Sequence, residues 1–166
     1  MKNKQPLGVF LLKALPLTAV ISLGALYLTD RYSIGIDPQE HTCLQWRVFA
    51  IDKYDTTVER GEIFAFRSGA MEPFFKNGTQ IIKVADGVPG DRVSVGLQKV
   101  TVNGYEVGEG LALSPKLKRP PSRYVRDEIV PEGKYWFMGK TLDSFDSRYW
   151  GYVPAGDIIG KAYPLW

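Results

Sequence analysis

Residues 100–107 read VTVNGYEV. Valines alternate with polar residues up to Asn103-Gly104, and Asn-Gly is the dipeptide best able to adopt positive φ at both centres of a two-residue hairpin turn. The stretch therefore predicts two antiparallel strands joined by a tight turn. Similar short segments, rich in β-branched and aromatic residues, continue on both sides: 47–51 (RVFAI), 62–66 (EIFAF), 80–84 (QIIKV), 92–95, 99–102, 135–138 and 157–163. Gly, Pro, Asn and Asp separate them, and helical periodicity is nearly absent beyond residue 28. The expected body is mainly β, with no internal repeat. Residues 111–126 combine charge with Pro120-Pro121 and are expected to form a long loop or insertion.

The first 28 residues differ from the rest. Lys2 and Lys4 precede an apolar run, 7–28, interrupted by Lys13. A run of this length crosses a hydrocarbon core of about 30 Å, and a lysine near its start snorkels to the interface. A cleaved signal peptide is the competing reading, with LGA (23–25) as a poor cleavage site. The division expected is 1–28 as cytoplasmic tip and transmembrane anchor and 29–166 as the folded domain. Those three lysines account for the whole formal net charge of +3 among 21 basic and 18 acidic residues. By the positive-inside rule the N-terminus is cytoplasmic and the body lies outside, in the periplasm of a bacterial inner-membrane protein. The body is formally neutral, which argues against nucleic-acid binding. KLKR (116–119) runs into the proline pair and reads as a solvated loop.

One cysteine, Cys43, cannot staple a domain facing an oxidising compartment. It is either a small buried hydrophobe or a thiol kept for chemistry. With one histidine, His41, the chain lacks the residues of an ordinary zinc cluster; no metal or organic cofactor is implied.

Three islands carry candidate chemistry. In IIKVADGVPGD (81–91), Lys83 sits in a strand between apolar neighbours. Either it faces solvent, or it is enclosed; an enclosed amine loses solvation, which favours the neutral form able to act as a base. In TLDSFDSRYWGYVP (141–154), Asp143, Ser144, Asp146, Ser147 and Arg148 form a polar knot. It either caps a turn or orients another side chain, with Arg148 a bidentate partner for either aspartate. HTCLQWRVF (41–49) places Cys43 at the start of a strand about 15 residues beyond the anchor, within about 50 Å of the bilayer even if fully extended.

These islands, with VERGEIFAF (58–66) and VPEGKYWFMG (130–139), resemble in order and content the signal peptidase I family. The chain's compact size and IGID (34–37) are similar to its conjugative-transfer, TraF-type branch, which matures pilin subunits. The resemblance implies a signal-peptidase-like β fold and a general-base lysine, Lys83. It also implies supporting residues Ser144 and Asp146, which orient that lysine. Signal peptidases carry their nucleophile in Ser-Gly-Ser-Met-x-Pro, which SGAMEPFF (68–75) mimics with Ala70 in place of the attacking serine. That stretch follows the ERGEIFAF strand, whereas the family's nucleophile precedes it, so SGAMEPFF reads as a connection. The branch pattern Ser-Leu-Pro-Gly-x-x-Phe falls instead on residues 43–49, with Cys43 as nucleophile and Gln45-Trp46 in place of Pro-Gly.

A thiol is more acidic than a hydroxyl, so the substitution is coherent with an amine base. The Cys43 backbone N–H is one candidate oxyanion donor and His41 another contributor. Ser33 and Ser68 remain alternative nucleophiles. The implied substrate is a pilin precursor or other secreted polypeptide, met at the lipid bilayer. A thioester on Cys43 ends in hydrolysis, or in a circular product if the substrate's own amine attacks. The non-enzymatic alternative is a membrane-anchored β domain that binds pilin or secretion-channel subunits.

Overall fold

The computed structural model describes residues 6–39, 42–69 and 71–166. It opens with helix α1, Leu7–Arg31, whose 25 residues bury no side chain against the body. At 1.5 Å per residue it is about 37 Å long, and it is apolar enough to cross a membrane. Its threonines are satisfied within the helix. Thr18 and Thr29 donate to the carbonyls of Ala14 and Ala25, each at 2.9 Å, as a hydrocarbon environment requires.

The helix passes residue 28 and ends where Arg31 meets the body. Arg31 Nε lies 3.0 Å from both Asp52 oxygens and its Nη2 reaches Oδ2 at 2.6 Å. The Lys53 N–H donates to the Arg31 carbonyl at 2.8 Å. The ring of Tyr54 meets Tyr27 edge-on, and its hydroxyl bonds Asp30. The hydrogen bonds from Arg31 hold the Asp52 carboxyl below its ordinary value. No linker separates helix from domain.

Among the described residues eleven strands follow. They are β1 (Tyr32–Ile36), β2 (Val48–Asp52), β3 (Ile63–Arg67), β4 (Gln80–Gly87), β5 (Arg92–Val95), β6 (Lys99–Val102), β7 (Tyr105–Glu109), β8 (Arg126–Ile129), β9 (Lys134–Met138), β10 (Val153–Pro154) and β11 (Ile158–Pro164). A one-turn helix, α2 (Ser147–Trp150), lies between β9 and β10. One sheet has the order β1-β2-β11-β3-β4-β9-β10 and the other β7-β6-β5-β8. The strand pairs are antiparallel; β5, β6 and β7 are joined by tight turns, whereas β11 returns from the end of the chain to lie between β2 and β3.

The opening hairpin forms as expected. Val102 pairs with Tyr105, and Asn103 and Gly104 take φ of 53° and 85°. Asn103 does further work: its side chain accepts from the Arg92 N–H and donates to Asp91. Valines of β5 and β6 bury Trp136 and Met138 in one core. Phe64, Phe66, Ile81, Ala85, Phe137 and Phe145 build a second. The predicted loop 111–126 has no strand before Arg126, but Leu111, Leu113 and Tyr124 are buried in these cores. KLKR stays on the surface, with only Leu117 partly covered.

Candidate active site

Strand β4 decides where the lysine points. Along it, Ile81, Lys83 and Ala85 share one face by alternation, and Phe64 of β3 is the cross-strand partner of Lys83. Lys83 is 2% exposed, among the most buried side chains of the protein. The solvent-facing alternative is therefore wrong: β4 is an interior strand, flanked by β3 and β9, and the face carrying Lys83 packs into the aromatic core. A buried amine must find an acceptor. The Lys83 Nζ donates to Ser144 Oγ at 2.9 Å.

Ser144 reaches that amine because β9 runs beside β4. Val84 pairs with Met138, so the chain leaving β9 at Gly139 starts next to Lys83. Gly139 is required by close approach: a Cβ there would lie 2.1 Å from Ser144 Oγ and 2.9 Å from Cys43 Cβ. Ser144 and Cys43 thus flank one Cα.

Asp146 does not touch Lys83. Its carboxylate takes Arg148 Nε and Nη2, both at 2.8 Å, caps the α2 N–H groups at Arg148, and accepts from the Gly139 N–H at 3.1 Å. Arg148 in turn donates to the carbonyls of Thr141 and Ser144 at 3.2 Å, and to those of Leu142 and Glu109. Burial opposes the charge on Arg148, but Asp146 outweighs it and the guanidinium is held above its ordinary value. Of the two aspartates open to Arg148, the structure selects Asp146, and Asp143 is exposed. The pair fixes the loop that presents Ser144, so its support of Lys83 is indirect.

Cys43 was expected at the start of a strand, but β2 begins only at Val48. Cys43 lies in a bend spanning residues 43–45, because Leu44 turns inward to pack with Phe49, Ile51 and Val84. The bend is tied down where the Lys140 N–H donates to the Cys43 carbonyl at 2.8 Å. The partly exposed thiol sits 3.9 Å from Gln39 Oε1, a weak contact. Among the described residues no acceptor is paired with the Cys43 N–H. His41 and Ala70 lie outside the described residues.

Cys43 and Lys83 line the same cleft, of about 230 Å³, whose apolar walls include Ile36, Phe49, Phe75 and Ile81. The other nucleophile candidates are elsewhere. Ser33 is on β1 opposite Ile51. Ser68 is 2% exposed and bonds the Lys76 carbonyl, closing the connection between β3 and β4. SGAMEPFF is that connection, yet Phe75 from it forms a wall of the Cys43 cleft.

A second cleft, of about 650 Å³, opens on the other side of Cys43, lined by Thr42, Trp46, Ile63, Asp86 and Lys140 among others. Asp86 lies at the register shift of β4 between Ala85 and Gly87 and lines this cleft together with Val84. Lys140 Nζ meets both Asp86 oxygens at 2.9 Å. Burial nevertheless raises the Asp86 carboxyl above its ordinary value, since Lys140 offsets only part of the lost solvation. Reading the sequence missed Gly139, Phe75 and this ion pair. A glycine between an apolar strand and a polar knot was the available signal for the first; the pair joins residues 54 positions apart and left none.

Residues 8–166 match the family model for signal peptidase, peptidase S26. The chain belongs to this family. It is 30% identical over 163 residues to a probable conjugal transfer protein TraF of Sinorhizobium fredii, covering 91% of this chain and 85% of that one. It is 33% identical over 106 residues to a probable signal peptidase I-2 of Synechocystis, covering 63% of this chain but 46% of that protein. A crystal structure of a signal peptidase I from Enterococcus faecalis aligns with a TM-score of 0.41 at 28% identity, over 62% of this chain and 94% of that one. The chain thus spans less than half the length of the Synechocystis signal peptidase. Family membership and the apolar helix α1 together point to membrane anchoring.

Proposed function

We propose that this family member is a membrane-anchored endopeptidase that acts on secreted polypeptides through Cys43 and Lys83. The observation that carries the reading is the buried Lys83–Ser144 hydrogen bond opening onto the cleft that Cys43 lines. A buried amine whose hydrogen bond among the described residues goes to a serine hydroxyl is held in place for the role of general base.

In this reading Lys83 takes the Cys43 proton as Sγ attacks the scissile carbonyl, and the Cys43 N–H meets the developing oxyanion. Collapse gives a thioester and transfers the proton from Lys83 to the leaving amine. Water, deprotonated by the same lysine, then releases the acyl product and restores the thiol. Ser144 holds the amine in place, and Asp146 acts through Arg148 and the loop. Substrates of signal peptidases carry small residues before the cut, and the 230 Å³ apolar cleft suits them.

The likeness to the probable conjugal transfer protein of Sinorhizobium over 91% of the chain supports a substrate in conjugal transfer, and we take that substrate to be a pilin precursor. Attack on the thioester by the substrate's own N-terminal amine gives a circular product instead of a linear one. In this reading residues 1–28 are the anchor and 29–166 the peptidase domain, and the three N-terminal lysines support a position of that domain on the periplasmic side of the inner membrane.

The test is intact mass of a co-expressed pilin precursor with wild type, Cys43→Ala, Cys43→Ser and Lys83→Ala. Wild type yields the processed mass, and a mass lower by one further water reports cyclisation. Cys43→Ala and Lys83→Ala leave the precursor uncut, while Cys43→Ser retains part of the processing. Normal processing by Cys43→Ala sinks the nucleophile assignment and moves attention to Ser33 and Ser68.

A further inference from the structure

Cys43 lines both clefts, so a peptide acylating it can extend into each. The small apolar cleft takes the acyl side, leaving the larger one for residues beyond the scissile bond. That larger cleft is walled by the segment in which this chain departs from the branch pattern, Gln45-Trp46 in place of Pro-Gly. Trp46 supplies an aromatic surface, with Ile63 and Val84 beside it. Among the described residues lining it, Asp86 and Lys140 are the charged ones.

Resting on the peptidase reading, the geometry points to this cleft as a cation subsite on the leaving-group side, taking a lysine or arginine side chain with its stem against Trp46 and its head on Asp86. An indole face and a carboxylate in one wall form the combination that attracts an organic cation. A substrate carboxylate would meet repulsion from Asp86 and, among the described lining residues, Lys140 as its cation. Lys140 is the more exposed member of the pair, its side chain 47% exposed against 9% for Asp86, so solvent can take up its charge when a substrate cation takes its place on Asp86. The raised Asp86 carboxyl agrees, because it marks a charge that Lys140 leaves partly uncompensated. A side chain fits better than the α-ammonium of the leaving peptide, which has no methylene stem to lay on the indole.

The experiment uses the full chain in detergent micelles. Peptides share one acyl-side sequence and carry Lys, Gln or Glu in turn at each of the first three positions after the cut, and kcat/KM is read. At one of these positions the Lys peptide is cut about fivefold faster than the Gln peptide, and the Glu peptide is slowest. In Asp86→Asn and in Trp46→Leu that ratio falls toward one. Should Asp86→Asn fail to fold, Lys140→Gln provides the second reading, raising the Lys-to-Gln ratio above wild type. Equal rates at all three positions, or a preference for Glu, overturns the subsite. Binding of the same peptides, read by tryptophan fluorescence, separates the two readings. Absence of cutting with a retained Lys preference in binding overturns the peptidase alone; cutting without that preference overturns the subsite alone.

Discussion

Lys83 and Ser144 are 61 positions apart in sequence, and their side chains meet at 2.9 Å with exposures of 2% and 1%. An amine so enclosed keeps its position because the hydroxyl accepts its hydrogen bond inside the core. Ser144 is the residue through which the polar knot reaches the base.

Ser144→Ala tests that dependence. It removes the acceptor and leaves the amine unsatisfied in the core, so kcat falls about 10- to 100-fold while KM changes little. Ser144→Thr, which keeps a hydroxyl, recovers part of the loss. Equal kcat in wild type and Ser144→Ala would remove serine from the mechanism.

Gly139 is the contact point of Ser144 and Cys43. Gly139→Ala inserts a Cβ 2.1 Å from Ser144 Oγ and 2.9 Å from Cys43 Cβ. One of the three must move. The expected cost is about 1–3 kcal/mol of stability, and a loss of processing at least as large as that of Ser144→Ala. Thermal unfolding and precursor mass report the two effects separately, and full activity in Gly139→Ala would show that the close approach of Ser144 and Cys43 to Gly139 is not needed for processing.

These two predictions mark where the sequence was readable. Lys83 stood out because a cation among Ile81, Ile82 and Val84 conflicts with its surroundings, and the Asn103-Gly104 turn because few other dipeptides accept its backbone. Strand β8 (RDEI) escaped notice, being an edge strand whose partly exposed side chains include three charges. Strand β1 (YSIGI) follows helix α1 directly, with no turn between them to mark its start. The bend at Cys43 was hidden because Leu44 turns into a core assembled from β2, β3, β4 and β11. The indirect role of Asp146 follows from Arg148, whose carbonyl partners lie up to 39 positions away.

The Asp146–Arg148 pair supports the site through burial and is expected to be fragile. Side-chain exposures are 0% and 1%, so Asp146→Asn strands a guanidinium in the interior. A loss of about 3–5 kcal/mol follows. The double variant Asp146→Asn/Arg148→Met loses less than the single change, because no unpaired charge stays behind. Denaturant unfolding of the two variants checks the order, and a double variant weaker than the single one contradicts it.

Two aspartates give opposite pH signatures. Asp52 is held below its ordinary 3.8 by hydrogen bonds from Arg31, so the stability it adds is present above that value and is lost as pH falls through the lower folded one. Asp86 is raised above 3.8 by burial against the partial compensation of Lys140. Its ionised form therefore costs stability near neutrality, a cost relieved as pH falls through the raised folded value. On acidification from about pH 7 to about pH 4, wild type gains stability relative to Asp86→Asn. Its margin over Asp52→Asn holds over the same range and closes only below 3.8. Thermal unfolding of the three proteins along a pH series reads both trends. If the two margins move together, the Asp86 carboxyl is not the strained member of its pair, and the electrostatic support for a second cation in that cleft disappears with it.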